Sequence, residues 1–487
     1  AGPEPPPRGT SAPHGRATGG RGGSPLFSSL KAARSTVEVA RLVEQLRPRT
    51  ARDYTVCISA YGRVRDWRSA TETLGQMRRC GVEPDVISYN AAISACGKCK
   101  QLERALSLLE DMQRRGVEPD TISFNSAISA CQKGGRWQRA LSLLEEMQQR
   151  GVEPDAYSFN AAISACGKGR QLGRALALLE EMQRSGVDPN IFSYNAAIAA
   201  CEKGGQWERA LSLLDKMQQQ GVESDIISFN SAILACQQGG QWERALSLLE
   251  GMRRRGIEPG AISYGAAISA CEKGGQWERA LELLEEMGRC GVEPNSFSYS
   301  AAIQACAAAG QPAHALQLFN RLEASQVDTS MCCFNAILDA LVRAHPDRAR
   351  ELWKLGCARG CYHSFERWSS SSGLCLQLDL HDLSEGAAET AVRWWLEERV
   401  RDRERLHQPV PERLELITGW GKSRGATDKG DVRARIERVL REMDETVLPT
   451  ENLGMLIVAR GGGRHKQRDV HRDAAEGARR LHVAGGK

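Results

Sequence analysis

Long apolar runs, inserted loops and a strong net charge are all missing from this sequence. No apolar run approaches the roughly 18 residues of a membrane-spanning helix, so we expect no membrane partner. The net charge is only +5, which permits nucleic-acid binding without requiring it. Insertions are absent from the middle of the chain, because an aromatic residue recurs there at a constant step of 35 residues. This column consists of Tyr54, Tyr89, Phe124, Phe159, Tyr194, Phe229, Tyr264, Tyr299 and Phe334.

Cysteine pairs at metal-binding spacing are scarce, although the chain contains 16 cysteines. Cys96 and Cys99 form a C-x-x-C pair without a second pair at zinc-finger spacing, so we expect no metal site. Seven cysteines, from Cys96 to Cys306, follow the 35-residue step. Equivalent helices of stacked repeats lie roughly 8–10 Å apart, farther than the roughly 7 Å that a disulfide spans between Cα atoms. We therefore expect free, buried thiols and a reducing compartment.

Acidic residues are nearly absent from the first 35 residues, which contain only Glu4. The Pro-, Gly-, Ser- and Arg-rich composition there excludes a packed core, so we predict a disordered segment over residues 1–36. An acid-poor start with Arg and Ser is also typical of the end of an organellar transit peptide, and both interpretations stay open. Val37 to Leu46 have helical spacing, so residues 37–50 are expected to cap the repeated part of the chain.

A constant period without insertions is typical of a solenoid, in which each unit buries its apolar face against its neighbours. Residues 51–364 divide into nine such units, the last of them shortened. Within the unit Thr121 to Asp155, apolar residues follow helical spacing on both sides of a Gly134-Gly135 break. Each unit is therefore predicted to be two antiparallel helices, and the fold class is an α-solenoid followed by a small α/β domain.

The first helix of each unit has a second face, opposite its apolar face. A column of cations on this face suits the tracking of phosphates. An apolar column beside it suits stacking on bases, although packing between neighbouring units is the simpler explanation of that column by itself. The cations are Arg63, Lys98, Lys133, Lys168, Lys203 and Lys273, with Gln238 as an interruption. The apolar residues are Ile87, Ile122, Tyr157, Phe192, Ile227, Ile262 and Phe297.

A column of asparagines lies on the same face. Asparagine is a mediocre helix former, and the stacking of repeats gains nothing obvious from it, so we interpret this column as functional. The last residue of a unit is usually Asp or Asn, which is a favoured N-cap of the next helix. The asparagines are Asn90, Asn125, Asn160, Asn195, Asn230 and Asn335.

Units such as VISYNAAISACGKCKQLERALSLLEDMQRRGVEPD resemble the pentatricopeptide repeat. The resemblance implies a right-handed superhelix that binds single-stranded RNA, with one base read by the fifth and last residues of each unit. Thr55 with Asp85 then looks like a guanine reader. The pairs similar to uracil readers are Asn90 with Asp120, Asn125 with Asp155 and Asn195 with Asp225, while Asn160 with Asn190 suggests a pyrimidine and Asn335 with Ser364 a cytosine. The departing pairs are Asn230 with Gly260, Gly265 with Asn295 and Ser300 with Ser330.

The periodicity changes after the repeats. Residues 365–373 are predicted to be a Ser-rich linker, and residues 374–459 a compact α/β domain. Its predicted strands are Leu374–Leu383, Leu414–Thr418 and Met455–Val458, and its predicted helices run from Ser384 to Arg399 and from Asp431 to Met443. The Gly- and Arg-rich residues 460–487 are predicted to be a disordered basic tail.

The motifs LDLHDLS (Leu378–Ser384) and TGWGKSRG (Thr418–Gly425) resemble the small MutS-related, or Smr, domain. The resemblance implies nucleic-acid binding and, in some members, nuclease activity. Two departures weigh against cleavage, because Asp382 stands where the family usually has Gly and the second motif lacks the His often found before Ser423.

Asp379 and His381 are the candidate catalytic pair, since residues two apart on a strand lie on one face. Gly419, Gly421 and Lys422 are expected to hold a phosphate through the turn that they form. The alternative is that Asp379 and His381 only fix the loop by hydrogen bonds.

Two function classes remain. The first is a sequence-specific RNA-binding protein, monomeric and without cofactor, that acts in RNA processing or stability in chloroplasts or mitochondria. The second is an RNA endonuclease guided by its repeats, for which a divalent metal is a possible cofactor. A protein-binding scaffold is disfavoured, because it needs neither the cation column nor the amide column.

Overall fold

The computed structural model describes residues 25–325, 327–362, 366–369, 375–400, 405, 413–418, 432–450 and 454–459. The predictions for residues 1–24 and 460–487 lie outside the described residues. The chain divides into two compact bodies, Ala1–Gly204 and Gly205–Lys487. No helix in the described ranges is long and apolar enough to cross a membrane.

The first body begins with two short helices, α1 (Pro25–Ala32) and α2 (Thr36–Leu46). The prediction that residues 1–36 lack packed structure is wrong for α1. Leu30 is fully buried, and the Arg52 guanidinium lies 5.8 Å from the centre of the Phe27 ring. The predicted capping helix is α2, which begins after the N-cap Ser35. The composition did not predict α1, because this helix packs against its neighbours through few side chains, namely the buried Leu30 and the Phe27 ring.

Helix pairs follow in the first body, as the 35-residue period predicts. Their bounds are α3 Ala51–Arg63, α4 Trp67–Arg79, α5 Val86–Lys98, α6 Leu102–Arg114, α7 Thr121–Gly134, α8 Trp137–Gln149, α9 Ala156–Lys168, α10 Leu172–Arg184 and α11 Ile191–Lys203. The second body continues with α12 Trp207–Gln219, α13 Ile226–Gln238, α14 Trp242–Arg254, α15 Ala261–Lys273, α16 Trp277–Arg289, α17 Ser296–Ala308, α18 Pro312–Ala324, α19 Met331–Leu341 and α20 Pro346–Ala358.

Caps explain where the helices of a unit begin and end. The Asp120 carboxylate accepts a hydrogen bond from the Ser123 backbone N–H at 2.8 Å, and the Ser123 side chain reciprocates, which forms a capping box at the start of α7. Helix α7 ends at Gly135, whose φ of 68° is in the left-handed region that favours glycine. The prediction of a break at Gly134-Gly135 is confirmed.

The core consists of the columns that set the period. Phe124, Ile128, Cys131 and Met147 are fully buried, and burial of each large apolar side chain stabilises the fold by about 1.5–3 kcal/mol. Neighbouring units also pack closely where a tryptophan of one unit meets a glycine of the next. A Cβ on Gly169 would lie 2.3 Å from Cδ1 of Trp137, so the indole of one unit fits only against a glycine in the next.

The C-terminal domain lies within the second body. Its helices are α21 (Glu385–Trp394), which continues as a π-helical turn over Trp395–Val400, and α22 (Val432–Glu442). Its strands are β1 Glu366–Ser369, β2 Cys375–Asp379, β3 Arg413–Ile417, β4 Thr446–Leu448 and β5 Met455–Ala459. The sheet order is β1-β2-β3-β5-β4, with β2 parallel to β3 and every other neighbouring pair antiparallel.

Two predictions for this domain need correction. The segment 365–373 is not simply a linker, because β1 pairs with β2 and places Glu366 opposite Leu378. The strand predicted over Leu374–Leu383 ends at Asp379. Alternation in the sequence continues past that point because Leu380 and Leu383 are also buried, although they belong to a turn.

The cysteine column gives a testable consequence. Burial raises the pKa of the Cys96, Cys131, Cys166, Cys236, Cys271 and Cys306 thiols to about 11. Because the thiolate is the reactive form, iodoacetamide at pH 8 should modify the exposed Cys80, Cys290 and Cys332 and leave the column intact. Mass spectrometry of the native protein, beside a denatured control, measures this. Equal labelling of column and surface cysteines would contradict the burial of the column.

Candidate nucleic-acid interface

The cation column forms a stripe in the first body. Lys98, Lys133, Lys168 and Lys203 are all exposed and lie in the last turns of α5, α7, α9 and α11. The pKa of Lys168 is lowered by burial and then by the charges of Lys203, Lys133 and Lys100. The lysines are therefore close enough to repel one another, and an anionic strand laid along them would relieve that repulsion. In the second body, Lys273 is exposed as well.

Two further cations, Arg65 and Lys100, join the stripe and were not predicted. They line an open cavity of about 490 Å³ together with Gly62, Arg63, Lys98 and Lys133, and its lining contains no acidic side chain. Both residues have a φ of 58°, and they occupy the repeat position at which the unit Thr121–Asp155 has Gly135. A residue other than glycine in this left-handed backbone conformation destabilises the fold by roughly 1–2 kcal/mol. The presence of a cation where the unit Thr121–Asp155 has Gly135 is the sequence signal that identifies Arg65 and Lys100.

Arg63, a candidate for phosphate binding, also makes a contact that the sequence did not predict. Its guanidinium donates a hydrogen bond to the Leu30 backbone carbonyl at 2.6 Å. Arg63 therefore holds α1 against α3 and has only its remaining N–H groups for a phosphate. No sequence pattern indicated this contact, because the two residues are far apart in the chain and α1 was not predicted.

The apolar column is exposed in both bodies. Its members are 53–70 % exposed, namely Ile87, Ile122, Tyr157, Phe192, Ile227, Ile262 and Phe297. Packing between units therefore does not account for most of their surface, and a row of exposed apolar side chains marks a binding surface. A Cβ on Gly265 would lie 2.9 Å from Cδ1 of Phe297, so the apolar residue of one unit reaches the fifth residue of the unit before it.

The asparagine column turns out to be structural as well. The Asn90 side-chain NH₂ donates to Oδ1 of Asp120 at 3.0 Å, and its carbonyl oxygen accepts from the Ser123 hydroxyl at 2.6 Å. Asn125 makes the same two bonds to Asp155 and Ser158, at 3.0 and 2.6 Å. The interpretation that stacking gains nothing from asparagine is thus wrong, because the amide joins each unit to the cap of the next.

The remaining base-reading candidates vary around this arrangement. Asn230 accepts from the Ser263 hydroxyl at 2.6 Å, whereas Gly260 has no side chain to cap α15. Asn160 donates to Oδ1 of Asn190 at 3.3 Å, and its own carbonyl oxygen is buried without a donor among the described residues. Of the other four, Thr55 donates to the Ala51 carbonyl at 2.8 Å, Asp85 caps α5, Asn195 is buried in the first body, and Asp225 caps α13 in the second.

Hydrogen bonds keep the capping carboxylates charged. Burial raises the pKa of Asp120, but bonds from the Ser123 backbone, the Asn90 amide and the Ser123 hydroxyl outweigh it, so that the pKa is lowered overall. The pKa of Asp155 is lowered in the same way. At neutral pH these groups are pure acceptors, suited to a ring N–H.

Family comparisons agree with this geometry. A model described as the PPR repeat family matches residues 84–133 and 119–168, one described as the pentacotripeptide-repeat region of PRORP matches 149–325, and a pentatricopeptide repeat domain matches 51–99. Together they cover residues 51–325, more than half of the sequence. The chain belongs to the pentatricopeptide repeat family.

Solved structures of pentatricopeptide repeat proteins are similar to this chain. The pentatricopeptide repeat protein PPR10 from maize has 21% identity and a TM-score of 0.50, and the match covers 79% of this chain and 58% of that one. PPR10 in complex with an 18-nt psaJ RNA element has 18% identity, covers 78% and 62%, and has a TM-score of 0.41. The PPR domain of Arabidopsis thaliana protein-only RNase P 1 in complex with tRNA has 19% identity, covers 43% and 98%, and has a TM-score of 0.33.

These likenesses concern the fold. The chain spans less than two thirds of the PPR10 chain that it matches. No curated protein matches the sequence.

The last pentatricopeptide unit differs from the others. Asn335 accepts from the Tyr362 hydroxyl at 3.2 Å and donates to the Asp382 backbone carbonyl at 3.3 Å. Its assignment as a base reader therefore needs correction, because its NH₂ is bonded to the C-terminal domain instead of to a capping residue. Its predicted partner Ser364 lies outside the described residues.

The predicted catalytic pair does come together, but by a different route. Only Asp379 is on β2, and His381 lies in the turn that follows, with Nδ1 2.5 Å from Oδ1 of Asp379. The other ring nitrogen, Nε2, lies 3.0 Å from Oδ2 of Asp382. The prediction of two side chains alternating along one strand face is wrong. The candidate phosphate-binding residues Gly419, Gly421 and Lys422 lie outside the described residues.

The double role of asparagine can be measured without RNA. Asn125→Ala removes the amide that bonds to both the Ser158 hydroxyl and the Asp155 carboxylate at the junction, and we expect a loss of about 1–3 kcal/mol in the free energy of unfolding. Lys133→Ala, an exposed change on the same helix, should leave stability within about 0.5 kcal/mol. Urea denaturation followed by circular dichroism compares them, and equal stability of the two variants would show that the amide has no structural role.

Proposed function

We propose that the protein binds single-stranded RNA in a sequence-specific manner and acts in organellar RNA processing or stability. One observation supports this most strongly. In each unit of the first body from α5 to α9, an exposed apolar side chain, an amide bonded to a capping residue and an exposed lysine recur on the same helix. This set provides stacking, hydrogen bonding and charge neutralisation, which together are what a nucleotide requires.

A base would be held at the junction between two units. Its face stacks on the apolar side chain, and its edge meets the capping residue. In Asp120, Oδ1 receives the bonds from Ser123 and Asn90, and Oδ2 would accept the ring N–H that uracil and guanine both present. The fifth residue then separates large bases from small ones by size. The Asn90 amide keeps the carboxylate oriented, which makes the junction rigid before RNA arrives.

The target follows from the pairs that resemble known base readers. Thr55, Asn90, Asn125, Asn160 and Asn195 with their partners specify a G-U-U-Y-U core, read 5′ to 3′ along the chain. Binding proceeds on a monomer without a cofactor.

Binding assays test this proposal. We expect RNA with the G-U-U-Y-U core to bind at least tenfold more tightly than a scrambled RNA of the same composition, because each wrong base costs about 1–3 kcal/mol. Replacing Lys98, Lys133, Lys168 and Lys203 with Ala should weaken both RNAs alike. It should also flatten the slope of log K against log salt by about 3, at roughly 0.7 per phosphate contact. Equal affinity for the scrambled RNA would refute sequence-specific reading.

A second candidate function is RNA cleavage by the Smr-like C-terminal domain. The observation that favours it is the position of His381 between two carboxylates. Only the doubly protonated ring donates to both, and as a general acid His381 would release its Nε2 proton from Asp382 and give it to the leaving oxygen. Water would attack phosphorus as the phosphodiester bond breaks, and a flanking carboxylate would take the proton of that water.

A divalent metal has no evident place in this arrangement. Both nitrogens of His381 already face carboxylates, and the described residues contain no cluster of three side chains suited to a metal ion.

Cleavage is tested with a target RNA extended at its 3′ end. The intact protein should cut the extension, whereas Asp379→Ala and His381→Ala should each reduce the rate by at least about 10², the usual contribution of a general acid or base. Gel analysis of end-labelled RNA measures the rates, and circular dichroism confirms folding of the variants. No cleavage by the intact protein, or equal cleavage by all three, would leave the pair with a structural role only.

A further inference from the structure

Ordinary junctions in the array share two features. The fifth residue of one unit bonds to the cap of the next first helix, and small residues let the two first helices approach closely. A Cβ on Gly97 of α5, for example, would lie 3.2 Å from Cβ of Ala130 on α7. Each first helix of the array therefore needs a successor that supplies a cap and a close backbone contact.

The successor of α19 is α21, which belongs to the C-terminal domain. Ser384 caps α21, and its hydroxyl donates to the Asn335 backbone carbonyl at 3.3 Å. The Gly386 backbone N–H donates to Oδ1 of Asp339 at 2.7 Å. A Cβ on Gly386 would lie 2.6 Å from Cα of Asp339, so the two helices touch through their backbones. Helix α21 thus occupies the place that a further repeat would fill.

Contacts with α20 fix the rotation of this docked helix. Fully buried Trp353 has its ring 6.2 Å from that of Trp394. Arg350 pairs with Glu397 at 2.8 Å, and Lys354 pairs with Glu398 at 2.7 Å. Ion pairs at this exposure add little stability, but together with the aromatic contact they select one orientation.

The docked cap is also close in sequence to the Asp379–His381 pair. Between β2 and α21 the turn is held by a hydrogen bond from the Leu380 N–H to the Ile417 carbonyl at 2.8 Å, and Leu380 and Leu383 are buried. The turn therefore has little freedom, and its position follows that of α21.

We infer that α21 ends the array as a terminal first helix and holds the Asp379–His381 pair at a constant spacing from the last helix pair of the array, α19 and α20. Asn335 is covered, so the ninth unit reads no base. An RNA strand leaving the eighth unit reaches the pair after a fixed number of nucleotides. The inference rests on the proposed RNA binding and adds to it a fixed number of nucleotides between the array and the pair, whether or not the pair cleaves.

Photocrosslinking tests the spacing. A photoreactive p-benzoylphenylalanine replaces exposed Asp382, and the crosslinked nucleotide is mapped on RNA that carries the G-U-U-Y-U core and a 3′ extension. We expect crosslinks at one or two adjacent nucleotides. Insertion of a second copy of Thr121–Asp155 directly after Asp155, with one added uridine in the core, should keep the crosslink on the same extension nucleotide. The same insertion with the original RNA should move it by one nucleotide.

Variants at the docked helix provide a matched control. Gly386→Leu places a side chain against the α19 backbone and should spread the crosslinks over several nucleotides without changing affinity for the core. Gly288→Leu, at a helix position with open space around it, should change neither. Without RNA, only Gly386→Leu should speed amide hydrogen exchange in α19.

Three results would overturn the constant spacing. They are dispersed crosslinks in the protein with intact docking, a crosslink that ignores the inserted repeat, and unchanged exchange in the Gly386→Leu variant. Each is compatible with specific binding of the core RNA, whereas failure of the proposed function would appear as equal binding of scrambled RNA.

Discussion

The hydrogen bonds at the junction between consecutive first helices are the interaction on which the array depends. The last residue of a unit caps the first helix of the next unit. The asparagine at the fifth position of the same unit bonds to that cap, as Asn90 does to Asp120 and Ser123. This arrangement satisfies the backbone N–H groups at a helix start, which would otherwise be left unpaired. It also determines where each unit begins relative to its neighbour, so that the cysteine and aromatic columns come into register.

The same groups face the proposed RNA, which couples recognition to stability. A residue that orients a capping carboxylate cannot be changed without disturbing the helix that follows it. The units with departing pairs fit this constraint, since Gly260 leaves α15 without a side-chain cap and Phe297 fills the space beside Gly265. The unit of Asn230 and Gly260 lacks the capping carboxylate, and the unit of Gly265 and Asn295 lacks both that carboxylate and the fifth-position amide. The proposed recognition is therefore best developed in the first body, where the lysine stripe and the additional cations Arg65 and Lys100 also lie.

The C-terminal domain uses the junction in another way. Backbone contact at Gly386 and the bond to Asp339 replace the amide-to-cap bonds found between repeats. Burial raises the pKa of the Asp339 carboxyl despite hydrogen bonds from Ser384 and Gly386, so this group is held where water does not reach it freely. A domain docked through buried groups moves with the unit that carries it, which is the physical basis for the inferred constant spacing between the last repeat and the turn.

The period, the two helices of each unit and the core columns followed from the sequence alone, because they depend on contacts within one unit that every copy repeats. The exposed apolar column and the cation stripe were also predictable, since helical geometry places residues such as Ile122 and Lys133 on one face. Only the tertiary structure showed that Asn125 is a junction group, that Arg63 holds α1, that Asn335 is covered and that His381 lies in a turn between two carboxylates. Each of these depends on a contact between different units or on where a turn directs a side chain. Periodicity carries no information about either, because it records which face a residue occupies and not which partner meets it there.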